Sequence, residues 1–235
     1  MPGRPDHRSS AVREAPVSRL EGFSDGVFAI SATLLVVSLD VPRSVDQLFE
    51  SLRGFAAFAL SFTMLVHIWA VHNRFFRRYG LDDGWTVALN SALLFVVLFY
   101  VFPLKYLSLA LVQVFAGPQP GEARLFGSAE DAGALLSVYA AGFVAVFLMV
   151  ALLYRHAWRR RDVLRLDAAR AGEARFWMRH FLIYVGVGLA ALAMAQLGLG
   201  LQIGAPGWIY GLLGPLCWWH GARWGPRVAA GGAGA

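Results

Sequence analysis

A single cysteine, a single lysine and few acidic residues distinguish this chain of 235 residues, in which only 15% of positions carry Asp, Glu, Lys or Arg. Soluble domains devote about 25% to those four types. Cys217 has no second cysteine with which to close an intrachain disulfide or build a thiolate metal cage. Between Trp218 and a run of apolar residues it reads as packing. The sequence also has no His-Glu-x-x-His pair, no Gly-x-Ser-x-Gly elbow, no phosphate-binding loop and no paired catalytic carboxylates. An enzyme is therefore not expected. His67 and His72 lie five residues apart, off a common helix face, so no metal ion is expected between them. No cofactor is called for.

What the chain has instead is apolar length: 57% hydrophobic residues and a mean hydropathy of +0.54. A bilayer core about 30 Å thick needs roughly 20 apolar residues per helix. Six such segments can be placed, at 19–39, 47–77, 85–115, 132–158, 175–201 and 207–224. The expectation is an all-α, polytopic membrane protein with six transmembrane helices. Residues 1–18, polar and Arg-rich without an apolar core, read as a cytoplasmic arm rather than a cleaved signal. A six-helix unit over 19–226 follows, then a disordered tail over 227–235.

The net charge of +6 raises nucleic acid as a partner, but the distribution of the charges argues against it. All but four of the 21 basic residues (the exceptions being Arg43, Arg53, Lys105 and Arg124) fall in the termini and in alternate loops. Positive charge gathers on the cytoplasmic side, which places both termini there. The run RHAWRRRDVLRLDAARAGEARFWMRH reads as a topology-setting loop that could also lie on anionic headgroups. Two Gly-rich stretches mimic other machinery. YVGVG lies deep in the fifth segment without the flanking pore helix of a carbonyl filter, and GLGLQIG lacks the strand-to-helix setting of a dinucleotide loop. Both read as small residues that let helices pack closely.

The opening segment, RLEGFSDGVFAISATLLVV, carries more polar residues than a lipid-facing helix tolerates. At about 100° per residue, Gly26, Ile30, Thr33 with Leu34, and Val37 share one stripe. Ser24, Ser31 and Ser38 recur every seventh residue on another, as at a helix–helix seam. Asp25 points away from Ile30. Facing lipid, a carboxylate costs at least about 2.5 kcal/mol, so it needs a partner, and Arg19, Trp69, His72, Arg74 and Asn90 are the candidates. Geometry leaves two readings open: a helix N-terminal cap at Ser24 or Asp25, or a buried network holding the first helix against the second and third.

These residues together resemble a known family. RLEGFSDGVFAISATLLV, WAVHNRFFR and ALNSALLFVVLFYVFP, in that order, are similar to the transmembrane protein 175 family, lysosomal potassium channels and their bacterial relatives. Phe23, Ser24 and Asp25 match its signature triplet. The resemblance implies a potassium channel without a carbonyl filter, its first helices surrounding a central pore, in the tetrameric bacterial form with a single six-helix unit. It implies an apolar constriction at Ile30, a selectivity threonine at Thr33 where potassium ions would pause, and a second apolar ring at Val37. Leu34 joins the pore stripe through the helical wheel. Arg19, Phe23, Ser24, Asp25, Trp69, His72, Arg74 and Asn90 become its structural network. The expected setting is a bacterial plasma membrane, with the lipid bilayer and further copies of the chain as partners, potassium as permeant ion and no nucleic acid. A secondary transporter and a non-conducting scaffold are the rival readings.

Overall fold

The computed structural model describes residues 19–37, 44–117 and 128–229, and every regular element among them is helical. The helices are α1 (Arg19–Val37), α2 (Val45–Tyr79), α3 (Gly84–Ala116), α4 (Ala129–Arg159), α5 (Ala168–Gln196), α6 (Ala205–Trp208) and α7 (Leu213–Ala229). By length and composition, α1 to α5 can each cross a membrane.

Local chemistry sets their ends. Gly80, at φ 57°, takes the left-handed conformation that closes α2. Its N–H bonds to Phe76 O at 2.8 Å. Asp83, Ser128 and Asp167 cap α3, α4 and α5, each side chain accepting from the backbone N–H three residues on. Because these caps satisfy amides that have no intrahelical partner, the short turns between α2 and α3 and between α4 and α5 are well defined.

The core lies among α2, α3, α4 and α5. Phe75 and Tyr79 of α2 meet Tyr154 of α4 edge-on, and Phe147 and Phe143 continue the aromatic stack toward Phe181, Tyr184 and Tyr210. Tyr100 donates to Tyr139 O at 3.1 Å, its ring seated where a side chain on Gly142 would overlap it. That glycine lets α3 and α4 approach closely.

Two segments depart from expectation. The fifth helix begins at Ala168, not 175, so of the Arg-rich run only 160–167 lies outside helices. Its cap at Asp167 and the good helix formers in AARAGEAR outweigh the charge that reads as loop. The same helix ends at Gln196, not 201, because GLGLQIG is a turn. Gly198, Gly200 and Gly204 all adopt positive φ, between 65° and 70°, as glycine alone does at little cost. The sixth segment accordingly starts as the short α6, passes through a 3₁₀ turn at Ile209–Leu212 and continues as α7 of 17 residues. Residues 227–229, expected in the tail, belong to α7. The expected arm, 1–18, and Ser38 lie outside the described residues.

One cluster ties the loop ends together. Asp83 Oδ1 accepts from Thr86 N and Oγ1 at 2.9 and 2.8 Å, while Oδ2 accepts from His156 Nε2 at 2.7 Å and from Arg160 at 3.1 Å. Burial on its own would push this carboxyl up, but the Thr86 amide, His156 and the Thr86 hydroxyl outweigh it and hold Asp83 well below the usual carboxylate range. The sign follows by linkage: the contribution is full above the unfolded value of about 3.9 and drains away as pH falls toward the lowered native value. Between about pH 5 and pH 2, the thermal midpoint of the wild type in detergent should fall more steeply than that of Asp83→Asn. Parallel curves would remove Asp83 as the source.

Candidate functional site on the first helix

Helix α1 packs against α3 and α2. Its buried edge is Ser24, Val27, Phe28, Ser31 and Leu35. The two serines are fully buried, their hydroxyls donating to Leu20 O at 2.8 Å and Val27 O at 2.9 Å. A hydroxyl folded back on its own helix adds almost no width, so Ser24 and Ser31, seven residues apart, lie in the seam itself.

A polar relay crosses this seam. Asn90 of α3 is fully buried, its Nδ2 donating to Ser24 Oγ at 2.9 Å and its Oδ1 lying 2.7 Å from His72 Nε2 on α2. Since the Ser24 proton already goes to Leu20, the asparagine must donate to that hydroxyl and accept from the histidine, which fixes the proton on Nε2. The imidazole lies between the tilted rings of Phe28 of α1, at 5.4 Å between centroids, and Phe76, at 4.6 Å. Beside the relay, Trp69 Nε1 donates to Asp25 Oδ1 at 2.8 Å. Asp25 stays exposed, so this bond orients α1 on α2 more than it buries a charge.

Of the eight residues expected in the network, five are brought together: Ser24, Asp25, Trp69, His72 and Asn90. Arg74 turns the other way, its guanidinium 5.0 Å above the Trp177 ring of α5, where cation–π attraction holds it. Arg19 is exposed at the first residue of α1 and takes no part, and Phe23 points outward at 62% exposure. Sequence reading overlooks a second polar joint, Ser61 of α2 donating to Ser108 of α3 at 2.8 Å with both hydroxyls buried. Hydroxyls inside long apolar segments are its signal.

The opposite face of α1 is uncovered. Ile30 is 57% and Val37 72% exposed, and Gly26, Ala29 and Thr33 share that surface. Thr33 Oγ1 donates to Ala29 O at 2.9 Å. Leu34, expected among these residues, is instead half-buried against the core of its own chain. It sits about 40° round the helix from Ile30, toward the seam. Among the described residues no cluster of three or more His, Cys, Asp or Glu is arranged to hold a metal ion.

A family model described as the endosomal/lysosomal potassium channel TMEM175 matches residues 19–100, which hold α1, the relay and the Trp69 contact. A potassium channel of Marivirga tractuosa is 37% identical over 156 residues, covering 64% of this chain and 63% of its own. A potassium channel of Streptomyces collinus is 30% identical over 184 residues, covering 73% of this chain and 81% of its own. The crystal structure of a variant of the potassium channel MtTMEM175, bound to a nanobody–MBP fusion, superposes with a TM-score of 0.81 at 31% identity over 90% of this chain and 94% of that one. None of these relatives is an enzyme. With helices fit to cross the bilayer several times and a fold shared along nearly its whole length, the chain belongs to the TMEM175 family of potassium channels.

Proposed function

We propose that this chain forms a potassium-permeable channel of a bacterial plasma membrane, four copies standing around an axis that the uncovered face of α1 lines. The observation that carries the reading is that face: Ile30 and Val37 stand out from the protomer with Thr33 between them, while the seam behind is closed by the serine stripe and the relay. A lipid-facing helix needs no relay to fix its rotation. A helix that must present chosen residues to an axis does. Four Ile30 side chains make a neck that admits a hydrated ion only by widening or by stripping water, as apolar constrictions do. Oxygens of Thr33 close by compensate part of the lost hydration, so preference among cations needs neither a backbone filter nor a charged ring.

Purified protein in liposomes should pass potassium down its gradient faster than sodium, without a proton gradient and without saturating at millimolar concentration. Slow, saturating flux strictly coupled to protons would instead mark a secondary transporter, a class built from internal repeats with interrupted helices. Assembled protein that passes no ions would leave a scaffold.

A further inference from the structure

A cleft of about 230 Å³ opens between the N-terminal end of α3 and the C-terminal end of α4. Its floor is apolar, from Leu89 and Leu152, and Trp85, 71% exposed, forms a wall. A shallower recess on the other side of Trp85 reaches Asp83 and Arg160. The rim is basic: Arg155 and Arg159 both line the cleft, and their spacing of four residues puts them on one face of α4.

Most arginines around this end of the bundle are occupied. Arg160 is paired with Asp83, Arg161 with Asp162 and Arg78 with Glu173, while Arg175 and Arg74 lie over Trp158 and Trp177. The side chains of Arg155 and Arg159 make no hydrogen bond, ion pair or ring contact with any described residue. Asp83, the nearby carboxylate, is already paired with Arg160 and bonded to His156, which offsets its repulsion of an anion at the rim.

Depth identifies the occupant. Both α3 and α4 are long and apolar enough to cross a bilayer. Trp85 at the start of one and the two guanidiniums in the last turns of the other are at the span ends, near the boundary where tryptophan and arginine meet headgroups. An unpaired arginine one turn inside that boundary is costly unless a phosphate meets it. Tryptophan favours the same level. We propose that this cleft binds one anionic phospholipid per chain, its headgroup phosphate between Arg155 and Arg159 and an acyl chain along Trp85, Leu89 and Leu152. Two positive charges close to one phosphate, with an apolar trough leading toward the bilayer centre, fit a lipid better than a free anion, which would leave the trough empty.

The test uses the full-length chain in mild detergent with equal amounts of phosphatidylglycerol and phosphatidylcholine, bound lipid being counted by native mass spectrometry. The wild type should retain phosphatidylglycerol at least about tenfold over phosphatidylcholine, since each basic side chain near a headgroup contributes severalfold. Arg155→Gln with Arg159→Gln should abolish the preference, Trp85→Ala should weaken retention of both lipids alike, and Arg165→Gln, outside the cleft, should change neither. Since neither arginine side chain holds a partner among the described residues, the double variant should keep its thermal midpoint. Undiminished preference in the double variant, or its loss in Arg165→Gln, would overturn the proposal. So would displacement by inorganic phosphate as effective as by lipid, or loss of oligomeric assembly with lipid retention intact, which would place a second copy in the cleft. Lipid counting is independent of ion flux, so its outcome does not follow that of the channel reading.

Discussion

Ile30→Asn is expected to raise potassium current through reconstituted protein by roughly tenfold and to bring the potassium and sodium reversal potentials closer together. The proposed neck is apolar, and its barrier is the hydration an ion gives up in crossing it. A carboxamide in place of each butyl group supplies oxygens at that narrow point and holds water there. Lowering the barrier by about 1.4 kcal/mol suffices for a tenfold rise. Ile30 is 57% exposed, so the substitution disturbs little packing within the protomer, and a changed current would report on the pore rather than on folding. Unaltered conductance and unaltered reversal potentials would remove Ile30 from the conduction path.

The largest stability effect is expected at Asn90. Replacing it with leucine leaves the buried Nε2–H of His72 without its acceptor at 2.7 Å and takes from Ser24 the donor at 2.9 Å. A buried polar group left unsatisfied costs about 1–3 kcal/mol, and side-chain bonds between membrane helices average about 0.6 kcal/mol. With two bonds lost and one donor stranded, a loss of about 2 kcal/mol is expected. Ser24→Ala strands one Asn90 N–H in its turn but leaves the Asn90–His72 bond in place, and should cost less. The thermal midpoint of both variants, measured at one protein concentration so that assembly contributes equally, orders the two effects. A Ser24→Ala loss equal to that of Asn90→Leu would mean that the relay does not extend to His72.

The first helix is the most legible part of the chain, because a helical wheel needs only local periodicity. Serines at seven-residue spacing mark the seam, and the stripe of Ile30, Thr33 and Val37 marks the face left uncovered. Leu34, placed on the same stripe by the wheel, is half-buried, a small rotation separating a packed side chain from an outward one. Partners across helices are harder. Asn90 and His72 can be found because buried amides and imidazoles in a membrane must pair. Depth alone assigns Arg74 to the same cluster, yet its place is decided by Trp177, far along the chain, whose approach no local pattern reveals. Charge misleads at α5, whose first turns carry arginines on a helix that begins at a well-formed cap. At GLGLQIG, glycine read as close packing proves to be glycine used for left-handed turns.

The threonine on the uncovered face has already spent its proton. With Oγ1–H directed at the Ala29 carbonyl, 2.9 Å away, the oxygen offers the outside only its lone pairs. Arranged in a ring, such groups behave like the ether oxygens of a crown: they solvate a bare positive ion and have nothing to donate to chloride. The pore proposed here would thus reject anions without any acidic side chain on its wall, through the direction in which one small hydroxyl is turned.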